Sequence, residues 1–185
     1  MKDKKLLSDI KEYLKCYENQ VLEDWYELIR HISVSETGEG IETCCDWIQK
    51  KMEEIGIQVT KYSVKPAPVL VGRFGNDPEK KTVLIYAHYD VKPAGERKLW
   101  HSDPFVPTVR DGKVYARGSA DNKSPLMAHL KALEYFIRRK MEVPVNVIFV
   151  FEGDEECGSR GLEEFLAEHG IGSRSGVFQR WSKGS

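Results

Sequence analysis

Two short apolar runs end in clusters of ionisable side chains, and no other feature of the chain narrows its fold as much. Residues 82–87 (TVLIYA) lead into His88 and Asp90, and residues 145–151 (VNVIFVF) lead into Glu152, Asp154, Glu155 and Glu156. Short runs without polar alternation suit strands covered on both faces, as in the middle of a parallel sheet. Like charges crowded where such a strand ends repel one another. A site that gathers them generally holds a cation.

The remaining pattern places helices between the strands. Residues 3–32 read as helical, with Ile10, Leu14, Val21, Trp25, Leu28 and Ile29 as apolar positions and room for a break at residues 17–20. Ile41, Cys45, Ile48, Met52 and Ile55 recur at steps of four and three, and Gly56 stops that helix. IQVTKYSV and VLVGRFG read as strands, and DGKVYARG as an edge or hairpin strand. Ser124 and Pro125 are placed to open a helix as N-cap and first residue, with Leu126, Leu130, Leu133 and Ile137 on its core face. GLEEFLAEHG is a short helix stopped by Gly170. Apolar strands alternating with amphipathic helices predict an α/β fold, a three-layer α/β/α sandwich around a largely parallel mixed sheet. Ligands of such sheets collect at the carboxyl ends of the strands, where both ionisable clusters fall.

Bulk composition excludes several classes. The chain has 185 residues, enough for one domain with a full core. Lys and Arg number 28 against 29 Asp and Glu, so nothing points to nucleic acid or to an acidic membrane as partner. The charged start MKDKKLLSDIKEYLK lacks a signal-peptide core. No apolar run approaches the roughly 20 residues that span a bilayer. Cys16, Cys44, Cys45 and Cys157 form neither a CxxC pair nor a disulfide framework, which predicts a reduced, cytoplasmic protein.

Three pieces carry the chemistry: HYD with His88 and Asp90, GSADNKS with Asp121, and GDEECGS with Glu155 and Glu156. Residues two apart on a strand share a face, so Asp90 can lie beside His88 and accept its second ring N–H, which orients a metal-binding imidazole. Adjacent Glu155 and Glu156 point to different sides of a turn, leaving one to bind metal and the other to take a proton from water. One imidazole with several carboxylates suits zinc, with manganese as the alternative. Taken singly, each piece has a plainer reading as a surface histidine, a solvated glutamate pair or a turn aspartate.

HYDVKPAGERKLWHSDPFVPTVRDGKVYARGSADNKSPLMAHLKALE, followed by EVPVNVIFVFEGDEECGSRGLEEFL, resembles the M20 metallopeptidases over residues 25–169. The similarity is to their dipeptidase branch, which includes cytosolic non-specific dipeptidase and carnosinase. The resemblance implies a zinc-exopeptidase-like fold with two metal ions, usually zinc, and a small peptide substrate. It implies that His88 binds one metal, Asp90 orients it, Asp121 bridges both, Glu155 is the general base and Glu156 binds the second. It also implies a cis peptide bond at Asp121–Asn122. The metals would then activate water, and Glu155 would shuttle its proton to the leaving amine.

The chain departs from that pattern. Ser124 stands where the family usually has glycine, and Lys92 where glutamine is frequent. No Asp or Glu follows Glu168, although the family supplies another acidic ligand there and a final histidine further on. His169, ending a helix away from the strand ends, is no substitute. Residues 1–170 are therefore expected to form the N-terminal part of a metallopeptidase catalytic domain and residues 171–185 an unstructured or foreign tail. The lid through which intact relatives are expected to form homodimers is expected to be absent from this stretch. The alternative to a metal-dependent dipeptidase is an inactive fragment with a weak metal-binding or interaction role.

Overall fold

The computed structural model describes residues 2–171. Helix α1 runs unbroken through Lys2–Arg30. No break occurs at residues 17–20 because the segment holds neither Gly nor Pro. The polar interval is simply where the helix passes over solvent, with Leu14 and Tyr17 exposed. Helix α2 (Ile41–Glu54) buries Ile41, Cys44, Cys45, Ile48 and Met52. Strands β1 (Gln58–Tyr62), β2 (Val69–Phe74) and β3 (Thr82–His88) follow. Strands β4 (Thr108–Arg110) and β5 (Lys113–Tyr115) form a separate antiparallel hairpin. Helix α3 (Lys123–Arg138), strand β6 (Asn146–Glu152) and helix α4 (Leu162–Glu168) complete the described chain. Helix α3 begins two residues earlier than expected, with Asn122 rather than Ser124 at its N-cap. Pro125 still sits in the first turn, where its missing N–H costs nothing.

The sheet order is β1-β2-β6-β3. It is mixed: β3 pairs with β6 in parallel, whereas β2 is antiparallel to both β1 and β6. The largely parallel character expected is thus confined to the β3–β6 pair. The reason is the short connection from β1 to β2, which returns the chain beside itself. Strand period two divides the sheet residues between two cores. Leu70, Ala87, Phe149 and Phe151 meet α2 and α3 on one face, and Val69, Val71, Leu84 and Val150 meet Leu162 and Phe165 of α4 on the other. Three layers result. Ile171, the first residue of the expected tail, is buried in the second of these clusters. The rest of that stretch lies outside the described residues.

Helix α1 rides over α3 through Tyr13 and Tyr135, whose ring centroids are 5.1 Å apart, and through ionic contacts. Lys131 Nζ lies 2.5 Å from Asp24 Oδ2 and 2.6 Å from Glu134 Oε2, while Lys51 of α2 reaches Asp24 Oδ1 at 3.3 Å. Burial works against ionisation of Asp24, but its bonds to Lys131 and Lys51 prevail and lower its pKa. A carboxylate with a lowered folded pKa stabilises above its unfolded pKa and loses that contribution as pH falls through the folded value.

Two expected outcomes follow from this packing. Asp24→Asn leaves two lysines without their shared charge and should cost about 3 kcal/mol at neutral pH, as for a broken buried pair. The loss should shrink as pH falls below about 4, where the parent also loses the charge; urea unfolding at several pH values checks this. Gly72 lies in β2 where an added Cβ would overlap Met52 Cε and sit 2.9 Å from Ile57 Cγ2. Gly72→Ala should lower the unfolding free energy by about 1–3 kcal/mol, the range for overpacking, and a urea midpoint equal to the parent's would contradict it.

Candidate metal centre

Parallel pairing brings the two ionisable clusters to one edge. His88 is in register with Glu152, and Tyr89 N donates to Glu152 O at 2.8 Å. Tyr89 turns to the opposite face, is fully buried, and donates from its hydroxyl to Pro68 O at 2.8 Å. Its ring occupies the space over Gly153, where a Cβ would lie 2.5 Å from Tyr89 Cζ. A residue without a side chain is therefore required where the chain leaves β6 for the carboxylate turn.

His88 is 4% exposed and Asp90 fully buried. His88 Nδ1 lies 3.2 Å from the Asp90 carbonyl oxygen and 3.3 Å from Asp90 Oδ1. Both oxygens only accept, so Nδ1 carries the hydrogen, and in the neutral ring Nε2 presents a lone pair. Burial lowers the His88 pKa, but the hydrogen bond with Asp90 and the charges of Asp90, Glu155 and Asp121 outweigh it and raise the value to about 9. Asp90 also holds the next loop. Glu155 N donates to its Oδ1 at 3.2 Å and Glu156 N to its Oδ2 at 3.0 Å. Burial opposes its charge, yet the bonds from His88, Ser35 and Glu156 N leave its pKa lowered.

The Asp121–Asn122 bond is cis, as the resemblance implied. Asp121 Oδ1 lies 3.1 Å from His88 Nε2, and Glu155 Oε2 lies 3.6 Å from the same nitrogen. Glu155 Oε2 is buried without a hydrogen-bond partner. Two donors on a tetrahedral ion with bonds near 2.1 Å stand about 3.4 Å apart, so each separation taken singly is of that size. Glu156 turns the other way. Its Oε2 is 3.8 Å from Lys92 Nζ, which also bonds the Glu156 carbonyl. The structure thus brings His88, Asp90, Asp121 and Glu155 together and sets Glu156 beside Lys92. Successive residues of the 3-10 turn Glu155–Cys157 diverge, as expected of this pair. Among the described residues, no group of three His, Cys, Asp or Glu side chains is placed to hold a metal ion.

The sequence reading missed the groups that shape the loop. Asp154 is 3% exposed and accepts from Arg160 Nε at 2.9 Å, Nη2 at 2.7 Å and backbone N at 2.9 Å. Glu152 is buried and accepts from Tyr86 OH and, at 2.8 Å, from Ser159 Oγ. Burial pushes the Glu152 pKa up against these two bonds. The residue sequence SRG after the carboxylates was the available signal for the Asp154 clamp. His169 packs instead between Tyr62 and Phe165, with ring centroids 4.7 and 4.5 Å away.

Asp90→Ala should weaken divalent-metal affinity by about 10–100-fold, the usual effect of removing a carboxylate behind a histidine ligand. Zinc competition titration of parent and variant reads it, and unchanged affinity would confine Asp90 to holding the turn.

Comparison with known proteins accords with this geometry. The chain is 43% identical over 120 residues to the Cys-Gly metallodipeptidase of Schizosaccharomyces pombe, covering 63% of this chain and 25% of that protein. It is 44% identical over 110 residues to the Beta-Ala-His dipeptidase of Homo sapiens, covering 60% of this chain and 22% of that protein. It therefore spans about a quarter of the length of these curated relatives. The crystal structure of human carnosine dipeptidase 1 superposes with a TM-score of 0.84 at 30% identity, covering 88% of this chain and 38% of that chain. Residues 84–182 match peptidase family M20/M25/M40, and the chain belongs to that family.

Proposed function

We propose that the protein is a metal-dependent dipeptidase that hydrolyses small peptides, and that this chain supplies part of its active site. The observation that carries the reading is the convergence of Asp121 Oδ1 and the unpartnered Glu155 Oε2 on His88 Nε2. His88, Asp121 and Glu156 would hold divalent cations, zinc in the first instance. Such ions supply Lewis acidity, easing deprotonation of water and polarising a peptide carbonyl.

The chain's own residues do the remainder. Asp90 keeps the hydrogen of His88 on Nδ1 and so leaves Nε2 free to donate its lone pair. Glu155 takes a proton from the attacking water as the oxygen adds to the carbonyl carbon. It passes that proton to the leaving nitrogen as the C–N bond breaks. The side chain is suited to this because Glu155 Oε2 is buried and holds no competing hydrogen bond. The four cysteines are free thiols, which accords with a reducing, cytoplasmic setting. Assembly into homodimers belongs to the same family reading.

The lack of a complete cation cage among the described residues favours a second reading, in which the chain binds at most one divalent ion, weakly, without turnover. Two measurements on the purified protein, incubated with zinc or manganese, separate the readings: elemental analysis of bound metal and turnover of a dipeptide panel. Two tightly held ions with turnover support the enzyme; one labile ion and no turnover support the second reading. In the active protein, Glu155→Gln should retain metal and lose at least about 100-fold in turnover. Near-parental turnover in that variant would remove Glu155 from the role of base.

A further inference from the structure

Lys123 is the first residue of α3, two positions after Asp121, and is 1% exposed. A lysine in the first turn of a helix ordinarily reaches into water. This one runs inward, and its Nζ donates to the carbonyls of Leu28 at 3.1 Å and His31 at 2.5 Å. Those oxygens belong to the end of α1, where the last carbonyls of a helix lack intrahelical partners and its dipole favours a cation. The passage for the stem is kept open by Gly118. Its φ is +81°, and a Cβ there would lie 2.8 Å from Val91 Cγ1 and 3.3 Å from Lys123 Cδ.

The same end of α1 is tied to the other half of the site. Ser33 Oγ donates to Tyr89 O at 2.7 Å, Val91 N donates to Ser33 O at 2.8 Å, and Val34 forms a parallel bridge with Val91. Residues 31–34 therefore grip the segment carrying Asp90 on one side, and through Lys123 they grip the Asp121 loop on the other. Among the described residues, no other side-chain hydrogen bond ties residues 118–122 to this frame, apart from the contact of Asp121 with His88 itself.

The geometry points to Lys123 as a positioning residue: its buried ammonium fastens the Asp121 loop to the end of α1 and thereby sets the separation of Asp121 from His88. It touches neither metal nor substrate and acts only through Asp121. This inference rests on the metal-site reading for its consequence and on hydrogen-bond geometry for its cause.

The test uses the full chain and Lys123→Met, which preserves the apolar stem and removes the ammonium. Leu133→Ala, in the α3 core away from the edge, serves as a destabilised control. Two quantities are read: hydrogen exchange of the peptide covering residues 117–122 in the metal-free chain, and affinity for Co2+ with its visible absorption spectrum. Lys123→Met is expected to exchange faster at 117–122, to keep parental exchange at 89–91, to bind Co2+ at least about 10-fold more weakly and to change the spectrum. Leu133→Ala is expected to leave Co2+ affinity and spectrum as in the parent. Parental exchange at 117–122 in Lys123→Met overturns the assignment, as does equal weakening in both variants. Should Lys123→Met fail to fold, Lys123→Gln, which removes the charge and shortens the side chain, is read in the same way. Failure of both to fold shows that Lys123 serves the whole fold rather than the loop, and overturns it too. If the parent takes up no Co2+, the metal-site reading fails separately, and the exchange measurement alone decides whether Lys123 holds the loop.

Discussion

The carboxylate of Asp90 is fully buried, and its two oxygens are shared by several donors, Ser35 among them. Oδ1 faces His88 Nδ1 and accepts from Glu155 N, and Oδ2 accepts from Glu156 N. A charge taken wholly out of water is tolerated only when its hydrogen bonds are replaced, and charge-assisted bonds are the strong kind. One group thus sets the orientation of the imidazole at the end of β3 and the start of the turn after β6. The fold serves this contact. Parallel pairing of β3 with β6, with His88 opposite Glu152, is what puts donor and acceptor within reach.

Charge balance at the edge explains why some carboxylates are held and others stand open. Asp154 is clamped by Arg160, and Glu156 has Lys92 nearby. Glu152 is buried with hydroxyl donors and a raised pKa, so its charge is disfavoured. Asp121 and Glu155 are left facing the one imidazole between them. Without a metal ion, a protonated His88 supplies the offsetting charge, which is why its pKa rises despite burial. A divalent cation would take over the same task with the same oxygens. On the proposed metal-site reading, the electrostatics of this edge suit a cation beside His88 Nε2.

Much of this was legible in the chain itself. The apolar run ending at Phe151 marked a strand buried on both faces, and β6 indeed lies between β2 and β3. The spacing of His88 and Asp90 marked a histidine and its orienting carboxylate, and steps of three and four marked the buried face of α2. These follow from local rules, strand period and helix period, that need only neighbours in sequence. The sequence alone also determined which residue types could meet at the edge, because the ordered HYD, DNKS and GDEE motifs carry the family relationship.

Other features were decided only by tertiary contacts. The direction of β2 beside β6 depends on how a short connection returns, which no side-chain period encodes. Nothing near Lys123 in sequence announces the carbonyls of Leu28 and His31 that receive it. The closeness of Asp121 and Glu155 to His88 joins residues 33 and 67 positions from His88 in the chain. The sequence determined the periods and the ligand types, since these depend on bonded geometry and side-chain chemistry. The tertiary structure decided which charges face one another, since that depends on distances that only packing sets.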